Sequence, residues 1–279
     1  MRKYSSRMIF FVLALLSADL LLPTCGFAAM LRIGGTGADL GTMQLLADAI
    51  RKHSPDTKIN IQPSIGSSGG ISAVLAGALD IAISSRPLKD DERAKGAQEW
   101  LYARTPFVFA TEQQLPQTQL TLKEIIGIYD GSLTKWKDGT TIRIILRPET
   151  ETDTALLKKY IPGMEAAMGK AYLRRGPPIA TTDQDAADKI QQISGAVGSS
   201  TLALILGENR PLKALAINGI APTLENLANG TYSMTKPLYL ITGAHLTAEA
   251  KRFVDFMRSK EGATILQHTG HLVTWPNMK

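Results

Sequence analysis

Sulfur chemistry is nearly absent from this chain. Its 279 residues hold one cysteine, Cys25, four histidines and 6% aromatic residues. A single thiol cannot close a disulfide within the chain, and a Cys-ligated metal centre needs several. No HExxH or Walker A sequence occurs, so zinc-protease and P-loop chemistries lack their residues. Gly35-x-Gly37 invites a dinucleotide-binding reading, but the third glycine would fall at Leu40, and the fingerprint fails. Lys and Arg form no run and do not interleave with aromatics, which leaves nucleic-acid binding without support. His268 and His271 are three apart, but Gly270 ends the helix between them, and a solvated or capping role is expected rather than a metal site. No nucleophile–base pair stands out. The reading is a protein that is not an enzyme and uses no cofactor.

Long apolar runs are missing too, with one exception. Arg2, Lys3 and Arg7 precede Met8–Leu16, and Leu20–Leu22 follow after Asp19. A basic start, a short apolar stretch and the small-x-small site Gly26-Phe27-Ala28 read as a secretory signal peptide over residues 1–28. The stretch is short for a membrane span. Leu22-Pro23-Thr24-Cys25 only loosely resembles a lipoprotein box, and Pro and Thr are poor residues before a modified cysteine, so no lipid anchor is expected. Removing three basic residues and one acid takes the formal charge from +6 to +4.

What is present is alternation. Strands are expected at 30–34, 57–61, 80–85, 106–110, 141–146, 195–198, 213–217 and 236–242. Helices are expected at 39–53, 70–78, 90–98, 122–129, 152–160, 163–172, 183–193, 199–207, 222–228, 247–259 and 261–268. Helix 39–53 shows the pattern well, with Leu40, Met43, Leu46, Ala47 and Ile50 on one face. Strands alternating with helices imply an α/β fold with mixed, mostly parallel sheets flanked by helices. Two extended segments, Ala103–Thr111 and Thr235–Thr242, each contain a proline and enclose a middle stretch with its own strands. They divide the chain into a first lobe of 29–104 plus 239–279 and a second of 105–238, with the natural ligand site in the cleft between them.

Polar turns occur where strands meet helices. The most informative is Gly66-Ser67-Ser68-Gly69-Gly70, read as a turn before a helix starting near Ile71. The first N–H groups of a helix lack intrahelical partners, and the dipole adds partial positive charge, so such a turn cradles anions. Similar turns are Gly34–Ala38, with Gly37 and Ala38 at its end, and Arg147–Thr154. Ser84-Ser85-Arg86 closes a strand. Arg86 and Arg147 offer guanidinium forks, which recognise oxyanions in bidentate fashion. Glu151 and Asp153 read as acids that offset a helix dipole. Trp136 reads as a packing residue.

These residues resemble a known family, the periplasmic phosphate-binding proteins of ABC importers, within the second class of two-lobed periplasmic binding proteins. The resemblance runs over nearly the whole mature chain. It rests on Gly66–Gly70, on Asp80–Leu88, on Leu120–Gly131 with Trp136 and Asp138-Gly139, and on Gly195–Gly198 and Ala216–Thr223. Lys236–Leu240 and Phe253–Phe256 through Glu261-Gly262 complete it. It implies a monomeric periplasmic protein that delivers a small anion, phosphate or a related oxyanion, to an inner-membrane ABC permease. It implies ligand contacts from Gly37, Ala38, Ser67, Ser68, Gly69, Ser85, Arg86, Arg147, Glu151, Thr152 and Asp153. Two positions depart from the family: Ser85 stands where the family has a proton-accepting Asp, and Glu151-Thr152-Asp153 where it has Ser-Gly-Thr. One unit-charge repulsion at 4 Å is worth about 4 kcal/mol at an effective dielectric of 20, against about 8 kcal/mol for a micromolar affinity. A non-transport sensor or adaptor with an altered site, or a binder of another polar solute, therefore stands as an alternative.

Overall fold

A computed structural model describes residues 30–275; the signal segment 1–28 and Cys25 lie outside the described residues. The chain opens with β1 (Leu31–Gly35), α1 (Leu40–His53), β2 (Ile59–Ile61), α2 (Gly66–Leu75), β3 (Ile81–Ser84) and a short α3 (Asp90–Ala94). The long β4 (Gln98–Glu112) leads to β5 (Gln119–Leu120), α4 (Leu122–Asp130), β6 (Arg143–Ile145), α5 (Thr152–Tyr160), α6 (Met164–Leu173) and α7 (Asp183–Gln192). Then come β7 (Ala196–Thr201), α8 (Leu202–Gly207), β8 (Leu212–Ala214), β9 (Ala216–Ile217) and α9 (Leu224–Ala228). The chain returns through β10 (Thr235–Thr242) to α10 (Ala248–Arg258), α11 (Lys260–His268) and β11 (Leu272–Val273).

The main sheet runs β2-β1-β3-β10-β4-β7-β6, with β8 and β11 also on β4. Its outer pairings, β1 with β2 and β3 and β6 with β7, are parallel. Every antiparallel pairing in it involves β4 or β10. These two strands hold the predicted crossovers. Thr235–Thr242 lies antiparallel against Gln98–Pro106, and β4 then continues as Phe107–Thr111 against β7. The ribbon therefore belongs to two half-sheets, and the protein has two lobes.

Each half-sheet is covered on both faces. In the first lobe, Met43, Leu46, Phe253 and Met257 pack with Ile33 and Ile83, while Ile71, Val74 and Leu79 pack with Ala82 and Ile241. In the second, Phe107, Ile125, Leu157 and Met168 form one core, and Val108, Ile145, Ile190 and Leu204 the other. Parallel strands buried on both faces need such layers. Trp136 has the expected packing role, 5% exposed, with its indole N–H donating to the Gly195 carbonyl at 3.0 Å.

Helix starts follow their capping residues. Thr121 accepts from the Glu124 N–H while Glu124 accepts from the Thr121 N–H at 2.7 Å, a reciprocal capping box. Thr182 caps α7 by accepting from the Asp185 N–H at 3.0 Å. Several elements differ from the sequence reading: β5 and β11 are additional, the strand expected at 213–217 is split into β8 and β9, and β7 runs on to Thr201 before α8 begins. Gly66–Gly70 is not a turn before a helix but the opening of α2 itself, with Gly66 at φ 71. The helix expected at 90–98 stops at Ala94, because the chain from Gln98 is taken by β4.

Candidate functional site

The carboxyl ends of β1, β3 and β6 point toward the N-termini of α1, α2 and α5, where the two lobes meet. In open α/β sheets ligands gather there. On the first lobe the Thr36 N–H donates to the Ile83 carbonyl at 2.8 Å, which sets the turn after β1. Ser67, in the first turn of α2, accepts from the Ser85 N–H at 2.9 Å. The Ser85 hydroxyl donates to Thr36 Oγ1 at 3.4 Å. Thr36, Ser67 and Ser85 are all buried, so β1, α2 and β3 converge on one patch of hydroxyls.

The second lobe supplies charge. Arg147 follows β6 and is 4% exposed. One of its terminal nitrogens donates to the Thr182 carbonyl, and the other lies 3.6 Å from Glu151. Its Nε has no hydrogen-bond partner among the described residues. Burial works against the Arg147 charge, but Asp153, Asp183 and Glu151 outweigh it and hold the guanidinium above its ordinary pKa. Asp153, at the start of α5, accepts from the Ser199 hydroxyl at 2.8 Å and from Lys236 Nζ at 2.6 Å. Asp183, at the start of α7, accepts from Lys236 at 2.9 Å and from the Thr36 hydroxyl at 3.2 Å.

Lys236 enters this cluster from β10, fully buried. Burial alone would discharge its ammonium; the Asp153 and Asp183 carboxylates reverse that and raise its pKa. Burial likewise pushes the Asp183 carboxyl up, but Lys236 and Arg147 bring it below the ordinary value. Two cations and two carboxylates thus compensate one another in the interior. Glu151, at the rim with its side chain 32% exposed, adds a further negative charge.

The lobes are in direct contact around this cluster. Besides Thr36 with Asp183, the Gln184 amide donates to the Gly37 carbonyl at 2.9 Å, and the Thr201 hydroxyl to the Ala38 carbonyl at 3.2 Å. A Cβ on Gly41 would stand 2.9 Å from the Gly207 carbonyl carbon, so glycine is needed for α1 and α8 to approach. At the mouth lies a groove of about 400 Å³ between Leu40, Gly41, Gln62 and Ser64 on one side and Thr182, Gln184 and Glu208 on the other.

The structure brings together most of the sequence-derived candidates. Gly37 and Ala38 face the second lobe through their carbonyls. Ser67 and Ser85 bond each other, and Arg147, Glu151, Thr152 and Asp153 form one turn and helix start. Arg86 is set apart. Its guanidinium is committed to both oxygens of Glu92, at 2.7 and 2.8 Å, and to the Ser68 hydroxyl at 3.1 Å. That fork holds Arg86 and Ser68 against α3, while Gly69 packs on Ile65. Sequence reasoning missed Lys236 and Asp183. It also missed His271: expected to be solvated or capping, it is fully buried, with Nε2 2.7 Å from Asp39. Tyr102 donates to the other Asp39 oxygen. His268, by contrast, is exposed.

Two α/β lobes, joined by a double crossover and closing on a polar seam, define the architecture of a periplasmic-type binding protein. A family model described as the PBP superfamily domain matches residues 26–261. The chain belongs to that family, whose members are binding proteins. It is similar to phosphate-binding protein PstS of Borreliella burgdorferi, 24% identical over 247 residues covering 86% of this chain and 88% of that protein. It is also 24% identical to phosphate-binding protein PstS of Bacillus subtilis, covering 83% and 76%. Among solved structures it resembles a putative phosphate ABC transporter substrate-binding protein with bound phosphate from Clostridium perfringens. That similarity has a TM-score of 0.74 at 25% identity, covering 88% of this chain and 100% of that one.

Proposed function

We propose that this chain is a periplasmic solute-binding protein that delivers phosphate or a related oxyanion to an ABC permease in the inner membrane. Its lobes, 29–104 with 239–279 and 105–238, close on the solute after cleavage of the leader, and it acts as a monomer without catalysis. The observation that carries this reading is Arg147. A buried guanidinium whose Nε has no partner among the described residues sits at the meeting of both lobes, in a family whose similar members are named for phosphate. Gly37, Ala38, Ser67, Ser85, Thr152 and Asp153 belong to the same site in this reading. Calorimetry with phosphate, sulfate, molybdate and amino acids tests it. Phosphate should release or absorb heat, and Arg147→Ala should cost about 2–5 kcal/mol of affinity. An unchanged dissociation constant in the variant would place Arg147 outside the site, and no heat with any oxyanion would reject the reading.

A second reading has a specific observation in its favour. Lys236, Asp153 and Asp183 satisfy one another inside the cleft, which suits a sensor or adaptor with a weakened site, or a solute bearing its own cation beside Glu151. Heat with amino acids, and none with oxyanions, supports the solute with a cation.

A further inference from the structure

We infer that Asp183 acts as a built-in anion, a carboxylate of this chain that bridges the lobes and competes with the solute for the same donors. The inference rests on the oxyanion reading above for the identity of the competitor, but not for the bridge itself. Asp183 starts α7 in the second lobe, and one of its oxygens accepts from Thr36 of the first lobe at 3.2 Å. The other accepts from Lys236, on the ribbon between the lobes, at 2.9 Å. Arg147 adds a second cationic influence on the same group. One carboxylate thus collects a hydroxyl from one side of the cleft and positive charge from the other, which is what an entering oxyanion has to do.

The neighbouring contacts show that Asp183 is held there. Its side chain is 6% exposed. Lys236 is fixed on its far side by Asp153, itself tied to Ser199. Next in sequence, Gln184 reaches across to the Gly37 carbonyl. The start of α7 therefore clamps the turn after β1 at two successive residues. An oxyanion that takes the Thr36 hydroxyl must displace the Asp183 carboxylate, or else sit beside it and meet like-charge repulsion in a poorly solvated place. Either way Asp183 raises the concentration of solute needed, and it favours the closed arrangement by itself. A ligand shifts such an equilibrium only by its differential affinity for the two states, so a carboxylate that already closes the cleft leaves the solute less to do.

The test uses the purified mature protein, phosphate-free, as wild type and Asp183→Ala, with Thr36→Val as a second variant that removes the first-lobe donor and leaves the Asp183–Lys236 pair intact. Small-angle scattering reads closure, and calorimetry with inorganic phosphate reads affinity. Without phosphate, the wild type should scatter as the compact two-lobed form, and both variants should show a larger radius of gyration. Saturating phosphate should compact Asp183→Ala, which should bind it at least about tenfold more tightly than the wild type does. The inference is overturned if the phosphate-free wild type is as extended as the variants, or if Asp183→Ala binds phosphate no better than wild type. If no protein binds any oxyanion, the oxyanion reading fails, and the phosphate-free scattering of wild type against Thr36→Val alone decides whether Asp183 bridges the lobes.

Discussion

Lys236 Nζ lies 2.6 Å from Asp153 Oδ1, with both side chains 2% exposed. The two residues come from different parts of the fold, a crossover strand and a helix start in the second lobe. Their pairing, with Asp183 beside it, places formal charge in the interior between the lobes. Charges buried this deeply persist only when they are matched.

Replacing Lys236 by Met should therefore be severe. The apolar chain fits the volume but leaves Asp153 and Asp183 facing each other with Arg147 as the one cation acting on both among the described residues. Breaking such a buried pair costs about 3–5 kcal/mol. Urea denaturation should show that loss as a lower midpoint with an unchanged slope. A loss below about 1 kcal/mol, the range of surface pairs, would mean that this ammonium is hydrated in solution.

Glu151 and Asp153 should behave differently, although the sequence presents them together. Glu151 contacts Arg147 only at 3.6 Å and is partly solvated. Glu151→Ser should tighten phosphate binding by about 1 kcal/mol, roughly fivefold, by removing a screened repulsion. Asp153→Thr leaves Lys236 with Asp183 alone, removes the acceptor of the Ser199 hydroxyl and should lower stability instead. Weaker phosphate binding in Glu151→Ser, measured by calorimetry, would show that this carboxylate helps to hold the ligand.

The Arg86–Glu92 fork should write itself into the acid limb of stability. The Arg86 hydrogen bonds, more than burial opposes them, bring the Glu92 carboxyl from 4.5 to about 2. The folded value lies below the unfolded one, so the pair stabilises fully above about pH 4.5. That support disappears as pH falls toward 2. Solvent screening of a pair this near the surface holds the gain at neutral pH to about 1–2 kcal/mol. Wild type should exceed Glu92→Gln by up to that amount at pH 7, with the gap narrowing below pH 4.5. A gap that does not change between pH 7 and pH 3 would contradict the ion pair.

Much of the fold was legible because its signals are local. The apolar stripe of α1, the Thr121–Glu124 box before α4 and the β-branched run around β6 each announce their element within a few residues. The first half of β4 was not legible. Gln98-Glu99-Trp100 carries no strand alternation, and it becomes strand because β10 lies alongside it. The site shows the same division. Arg147 and Ser67 stand out by residue type next to turn residues. Asp183 reads as an ordinary first-turn acid, and Lys236 as a lone charge beside Pro237. Their meaning depends on positions 53 apart that only the folded chain brings together. A lysine inside an otherwise apolar strand, Lys236-Pro237-Leu238-Tyr239-Leu240-Ile241, was the one available hint. His271 gave none, since its partner Asp39 is 232 residues away.

The ribbon of β4 and β10 has a mechanical consequence. Two separate loops would let the halves slide, swivel and part independently. Strands zipped along Gln98–Pro106 and Thr235–Thr242, with a register irregularity at Leu238/Tyr239, bend more readily than they stretch or shear. Opening is thereby channelled toward a flexing rotation about that strap. Because Lys236 is riveted to the strap itself, every change in the charge around it is felt at the pivot.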